Sequence, residues 1–161
     1  MNPYRIIPFE EYYLDEISEM MDRIQDEFGV PFRNPDGRTI ADVVGPDNLF
    51  WLALGENKVV GTIGLSRMDE HSAFLRHLFV SKEHRGKSGV SGLLLNTALE
   101  EARKRGYEYL YLGTMEQFKA AQKFYSRNGF MLIARETLPD NMPVSPMDTL
   151  FYARFLPIRI K

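Results

Sequence analysis

The chain has no cysteine, a single tryptophan and only three histidines in 161 residues. Without thiols it can form no disulfide, no thiolate metal site and no cysteine nucleophile. With the histidines scattered, no metal site is expected. No apolar run approaches the ~20 residues that a membrane span requires. The first ten residues lack a secretory signal pattern. Nor is there an excess of either charge: 20 basic against 22 acidic residues leave a net charge of -2. That balance gives no reason to expect nucleic acid or an anionic membrane as partner. There is also no internal repeat, low-complexity tract or interdomain linker. What remains is the expectation of a soluble cytoplasmic protein made of one domain, residues 1–161. A hydrophobic content of 44% and a charged content of 26% suit an ordinary buried core.

What is present is periodic. Residues 4–9 are apolar and read as a first strand. Across residues 10–28, Leu14, Ile17, Met21, Ile24 and Phe28 recur at steps of three and four, an amphipathic helix stopped by Gly29 and Pro31. Residues 39–44 suit a short second helix closed by Gly45-Pro46. Strand-like residues 49–54, the turn Gly55-Glu56-Asn57 and residues 58–65 form a hairpin signature, and residues 73–80 supply a fourth strand.

The next helix is the clearest element, with Val90, Leu93, Leu94, Ala98, Leu99 and Ala102 on one face. Arg103, Lys104 and Arg105 complement its C-terminal dipole, and Gly106 stops it. Residues 107–112 read as a buried strand. Thr114 and Gln117 have capping-box spacing for a helix running to Asn128, stopped by Gly129. Residues 130–134 and 150–156 are two last strands, joined by the proline-rich segment 138–147. The order β-α-α-β-β-β-α-β-α-β-β predicts an α/β fold of the α+β kind. Its mixed, mostly antiparallel sheet has about seven strands flanked by about four helices.

The stretch with most chemistry is H-R-G-K-S-G-V-S-G-L-L-L, His84 to Leu95. A chain turning here from strand to helix exposes unpaired N–H groups at a positive helix end, a seat for phosphate. Arg85 and Lys87 add two cations. Taken alone, the stretch reads equally well as a solvated Gly/Ser-rich loop. It is not a dinucleotide fingerprint, which would follow the first strand with an acidic residue ~20 positions later. It also lacks the G-K-[ST] ending of a P-loop.

Three stretches together resemble the GNAT superfamily of N-acetyltransferases over nearly the whole chain. L-F-V-S-K-E-H-R-G-K-S-G-V-S-G-L-L-L is similar to that family's acetyl-coenzyme A signature, Q/R-x-x-G-x-G/A. Y-L-Y-L-G-T falls on its next strand. A-A-Q-K-F-Y-S-R-N-G-F, from Ala120 to Phe130, is similar to its A-x-x-(apolar)-Y-x-x-x-G-F helix and strand. The resemblance implies that the backbone of Leu78, Phe79 and Val80 meets the pantetheine arm, with Val80 N–H as oxyanion donor. Arg85, Gly86, Lys87, Ser88, Gly89, Val90 and Ser91 would hold the pyrophosphate. The strand at residues 109–112 would splay away and leave a cleft for the thioester. Tyr125 would lie at the cofactor and protonate the departing thiolate. Two features depart from the pattern. The loop is one residue longer, so Lys87 or Ser88 is extra, with Gly89 as first motif glycine and Ser91 as the second small residue. Phe118 stands where many members carry Asn.

The implied function is acetyl-coenzyme A-dependent N-acetylation of a primary amine, on a small molecule or a protein, by direct transfer in a ternary complex. A non-catalytic coenzyme A-binding domain, or an acyltransferase with another donor or a hydroxyl acceptor, are the alternatives. The expected partners are acetyl-coenzyme A and the amine, with no nucleic acid, membrane or metal, in a monomer or homodimer. Glu70, His71 and His77 lie near the fourth strand, but each reads more readily as a surface or structural residue, so no general base is assigned. The acceptor pocket is expected from the first helix, residues 30–45 and residues 138–147. In and beside those stretches lie Phe32, Arg33, Asp36, Arg38, Asp140 and Asp148.

Overall fold

The computed structural model describes residues 3–29, 40–86 and 89–157. Its elements are β1 (Tyr4–Pro8), α1 (Leu14–Phe28), α2 (Ile40–Val43), β2 (Asn48–Gly55), β3 (Lys58–Arg67), β4 (Ser72–Val80), α3 (Val90–Lys104), β5 (Tyr109–Thr114), α4 (Lys119–Arg127), β6 (Met131–Ile133) and β7 (Leu150–Phe155). This is the expected order, with three short 3-10 turns added at Glu11–Tyr13, Lys82–His84 and Arg135–Thr137. The strands form a seven-stranded sheet ordered β1-β2-β3-β4-β5-β7-β6. β4 and β5 are parallel, while the β1–β2, β5–β7 and β6–β7 pairs are antiparallel. The parallel pair takes α3 as its crossover, as parallel neighbours require, and the two-residue turn after Gly55 leads from β2 into β3. No helix of the described residues is long and apolar enough to cross a membrane.

The chain packs as two compact units, one from the chain through Leu65 with His77–Glu100, the other from Ser66–Arg76 with the chain from Glu101 onward. In the first, α1 lays Ile17, Met20, Met21 and Ile24 against Phe50, Leu52, Leu54 and Val59. Ile17, Met20 and Leu52 are wholly buried, each stabilising the fold by about 1.5–3 kcal/mol. Glu16 fixes the register of helix on sheet by accepting the Val59 N–H at 2.8 Å. The β2–β3 turn has its left-handed residues at Glu56 (φ 52) and Asn57 (φ 66), the primed geometry that suits a two-residue hairpin. Gly55 has a different reason to be glycine, because a Cβ there would lie 3.0 Å from the Tyr4 ring.

In the second unit, Gly106 ends α3 at φ 79 and Gly129 follows α4 at φ 85, both as expected. The capping box is not formed. Thr114 is the last residue of β5, paired with Leu150, and its carbonyl accepts the Thr149 N–H. α4 therefore starts later, at Lys119, with Phe118 as a cap that makes no side-chain bond. The Gln122 amide instead donates to the Met115 and Glu116 carbonyls. The β5–β7–β6 register places Tyr109, Tyr111, Gly113, Phe151, Ala153 and Met131 on one face of this part of the sheet. Leu110, Leu112 and Tyr152 lie on the other, where α4 packs through Tyr125.

Candidate active site

β4 does not run straight into the loop. His77, in mid-strand, has φ 55, a left-handed value rare for a non-glycine residue. Thr62 Oγ1 donates to its carbonyl at 2.6 Å, and its ring lies near Phe50 and Phe79. The burial pattern changes at this distortion: residues 72–75 are buried, whereas 76–79, including Leu78 and Phe79, are half-buried. A local twist of this kind re-aims a strand edge. Val80 is buried again, and the following Ser81 N–H donates to the Val60 carbonyl at 2.8 Å.

The loop is clamped from several sides. Tyr4 Oη and His84 Nδ1 lie 2.8 Å apart. Arg85 Nε donates to the Val80 carbonyl at 2.8 Å, and its two terminal nitrogens grip the Glu27 carboxylate as a fork. The guanidinium also lies over the Phe28 ring at 5.6 Å. The hydrogen bond to Arg85 is the main reason that the Glu27 carboxyl titrates below its ordinary value. Arg85 thus ties the loop to the end of α1, with three of its five N–H donors engaged. Beyond it, Gly86 (φ 78) and Gly89 (φ 79) are left-handed, and a Cβ on either would meet nothing within 4 Å. The first helical bond runs from Leu93 N–H to the Gly89 carbonyl, so the N–H groups of Val90, Ser91 and Gly92 lie ahead of the ladder. Val90 itself is buried. It packs with Leu94 over Gly61, where a Cβ would come within 2.9 Å of Leu94 and 3.1 Å of the Phe79 carbonyl. That close approach brings the start of α3 onto the end of β4. Lys87 and Ser88 lie outside the described residues, as do Phe32, Arg33, Asp36 and Arg38.

In the second unit, Tyr125 is 7% exposed. Its ring meets Phe124, Phe130 and Tyr152 at 5.7–6.0 Å between centroids. Burial first, then the Asp148 carboxylate and Tyr152, push its phenol well above the ordinary 10. Asp148 was not a catalytic candidate from sequence, because nothing local marks it. A Cβ on Gly113 would lie 2.5 Å from Asp148 Oδ2 and 2.9 Å from Cγ. The carboxylate therefore rests directly on the β5 backbone, and burial raises its pKa from 3.8 to about 6 against the opposing pull of the Ser145 N–H. An open groove of about 490 Å³ runs beside Gln122, Lys123, Ser126, Arg127 and Tyr152. Among the base candidates, Glu70 is exposed, and His71 is exposed with Nδ1 3.8 Å from Glu108. Among the described residues no group of three or more His, Asp or Glu could hold a metal ion.

The sign of the Asp148 shift makes a prediction. A carboxyl whose folded pKa is raised contributes stability that is present below 3.8 and lost as pH rises through about 6. Asp148→Asn is therefore expected to raise the melting temperature at neutral pH. Solvent screening of this half-buried group limits the gain to about 1 kcal/mol, or roughly 2–4 °C. The advantage should vanish near pH 4. A variant less stable than the parent at neutral pH would show that the carboxylate is a structural tie.

Comparison with known proteins follows this geometry. The model of the acetyltransferase (GNAT) family matches residues 11–130. N-acetyltransferase 8B of Homo sapiens is 40% identical over 86 residues, covering 50% of this chain and 37% of that protein, so the chain spans well under two thirds of the relative's length. The crystal structure of a GNAT-family acetyltransferase from Staphylococcus aureus Mu50 superposes with a TM-score of 0.89 at 32% identity, over 96% of this chain and 99% of that one. A GNAT-family acetyltransferase from Elizabethkingia anophelis with acetyl-CoA bound shares the fold at 16% identity and a TM-score of 0.64, over 97% and 100% of the two chains.

Proposed function

The chain belongs to the acetyltransferase (GNAT) family, and from that premise we propose that residues 1–161 act as one acetyl-coenzyme A-dependent N-acetyltransferase domain. It would acetylate a primary amine by direct transfer in a ternary complex. The observation that carries this reading is the clamped turn from β4 into α3, where Gly86 and Gly89 are left-handed and open. A backbone without side chains in its way, ahead of unpaired helix N–H groups, fits a pyrophosphate.

Acetyl-coenzyme A supplies the activated acetyl group. The N–H groups of Val90 and Ser91, with the backbone of Gly86 and Gly89, would hold its pyrophosphate, and Lys87 and Ser88 belong to the same assignment. The backbone of Leu78, Phe79 and Val80 would meet the pantetheine arm. Val80 N–H would serve the oxyanion, a donor typically worth about 3 kcal/mol. Arg85 supports this seat indirectly, since its guanidinium holds Val80 and Glu27. Tyr125 would deliver the proton to the leaving sulfur. Its raised pKa keeps the phenol protonated across the working range.

The test is calorimetry with coenzyme A, joined to thiol release from acetyl-coenzyme A across a panel of primary amines. Coenzyme A binding with amine-dependent thiol release is the expected result. A chain that does not bind coenzyme A overturns the reading. Binding without thiol release above buffer identifies a non-catalytic binding domain.

A further inference from the structure

We propose that the Asp148 carboxylate, seated on Gly113 at the end of β5, receives the ammonium group of the acceptor; this rests on the reading of the chain as an amine acetyltransferase. The first support is the fit between the two residues. The Gly113 backbone is not left-handed, so glycine is not demanded there by its own conformation. What excludes a side chain is Asp148, whose Oδ2, Cγ and Cβ would all lie within 3.1 Å of the added carbon. The glycine of the Y-L-Y-L-G-T strand is thus the floor on which this carboxylate sits.

The second support is what surrounds the carboxylate. The Ser145 N–H on the preceding connection donates to it, and the Tyr125 phenol on α4 lies within reach of its charge. Neither of these is a cation. Among the described residues Asp148 forms no ion pair. A half-buried carboxylate without a counter-charge is costly. It also leaves lone pairs unused, and a primary ammonium offers three donors to match them.

The third support is position on the sheet. Gly113 belongs to the face of Tyr111 and Phe151, whereas Tyr125 packs on Tyr152 across the opposite face. Asp148 and Tyr125 therefore take opposite sides of one strand end. The two groups also communicate. Burial first, and then the charge on Asp148, holds the Tyr125 proton in place, and an ammonium on Asp148 offsets that charge. Arrival of the acceptor thereby makes the Tyr125 proton easier to give up. Below about pH 6 the carboxyl is neutral and the seat is lost, while the Tyr125 phenol keeps its proton throughout.

The experiment uses the full chain, with phenethylamine as the probe. Asp148→Asn is expected to raise the KM for phenethylamine at least tenfold at neutral pH, the scale of a lost charge-assisted bond. Coenzyme A affinity should stay within a factor of three, and the fall of kcat/KM on the acid side should disappear. Gly113→Ala leaves the carboxyl chemically intact but pushes it off β5, and should reproduce the rise in KM. An Asn variant with the parent's KM and pH profile overturns the proposal. A second readout needs no turnover: the Asp148 side-chain resonance in ¹³C-aspartate-labelled protein, identified by its loss in the Asn variant. Phenethylammonium chloride is expected to lower its titration midpoint, and potassium chloride at equal ionic strength is not. A midpoint that phenethylammonium leaves unmoved overturns the proposal even if the parent transfers acetyl groups. Absence of thiol release with every amine overturns the acetyltransferase reading instead, and the resonance still decides the carboxylate.

Discussion

Replacing Tyr125 with phenylalanine is expected to lower kcat by roughly 10²–10⁴-fold, the usual worth of a general acid. Coenzyme A affinity should change by less than about threefold, or ~0.6 kcal/mol. The substitution isolates the proton. The ring keeps its contacts with Phe124, Phe130 and Tyr152, so packing is retained. Among the described residues no buried side-chain nitrogen or oxygen lacks a hydrogen-bond partner, and none is found to depend on the Tyr125 hydroxyl. Melting temperature should therefore hardly move. An interaction that appears only as the thiolate departs lowers kcat and kcat/KM together. A tyrosine that merely fills the core predicts the reverse, intact turnover with any loss confined to stability. Turnover within a factor of three of the parent would end the acid assignment.

That assignment rests on the resemblance of Ala120 to Phe130 to the family's helix and strand, whereas the elements of the fold were legible from local patterns. The glycines after helices, Gly29, Gly106 and Gly129, all adopt the positive φ that their positions demanded. The α1 stripe from Ile17 to Ile24 is buried as its spacing required, though Met20, between two expected positions, is as deeply buried as Ile17. What the sequence hid depends on distant partners. Thr114 looked like a helix cap because its partner Leu150 lies beyond α4 and a long connection. Arg85 looked like a free phosphate ligand because Glu27 precedes it by 58 residues. The distortion at His77 is invisible inside an apolar run, since its cause is packing against Thr62, Phe50 and Phe79. Asp148 stands among six residues in and beside the expected acceptor pocket with nothing local to single it out, and only Gly113, the one glycine of β5, does so once the carboxylate is seen above it.

The second large effect is expected at Gly89, where valine should weaken coenzyme A binding at least tenfold, or about 1.4 kcal/mol. Two causes of such a loss can be told apart. Among the described residues a Cβ at Gly89 would meet nothing within 4 Å, so a clash of that carbon does not account for the loss. It comes from φ 79, a conformation that costs an L-residue roughly 1–2 kcal/mol and a β-branched one more. Valine must leave that region, which turns the N–H groups at the start of α3 away from the place where an anion would rest. Because the Gly89 carbonyl accepts the first helical bond, from Leu93 at 3.1 Å, the change also reaches the helix start. Gly106→Val supplies the comparison. Gly106 has the same φ of 79 and the same open space, but closes the other end of α3. It should lose a similar amount of stability and leave coenzyme A affinity unaltered. Equal losses of affinity in both variants would reduce the effect to helix stability, and parent-like binding by Gly89→Val would show that the anion seat is formed by other residues of the loop.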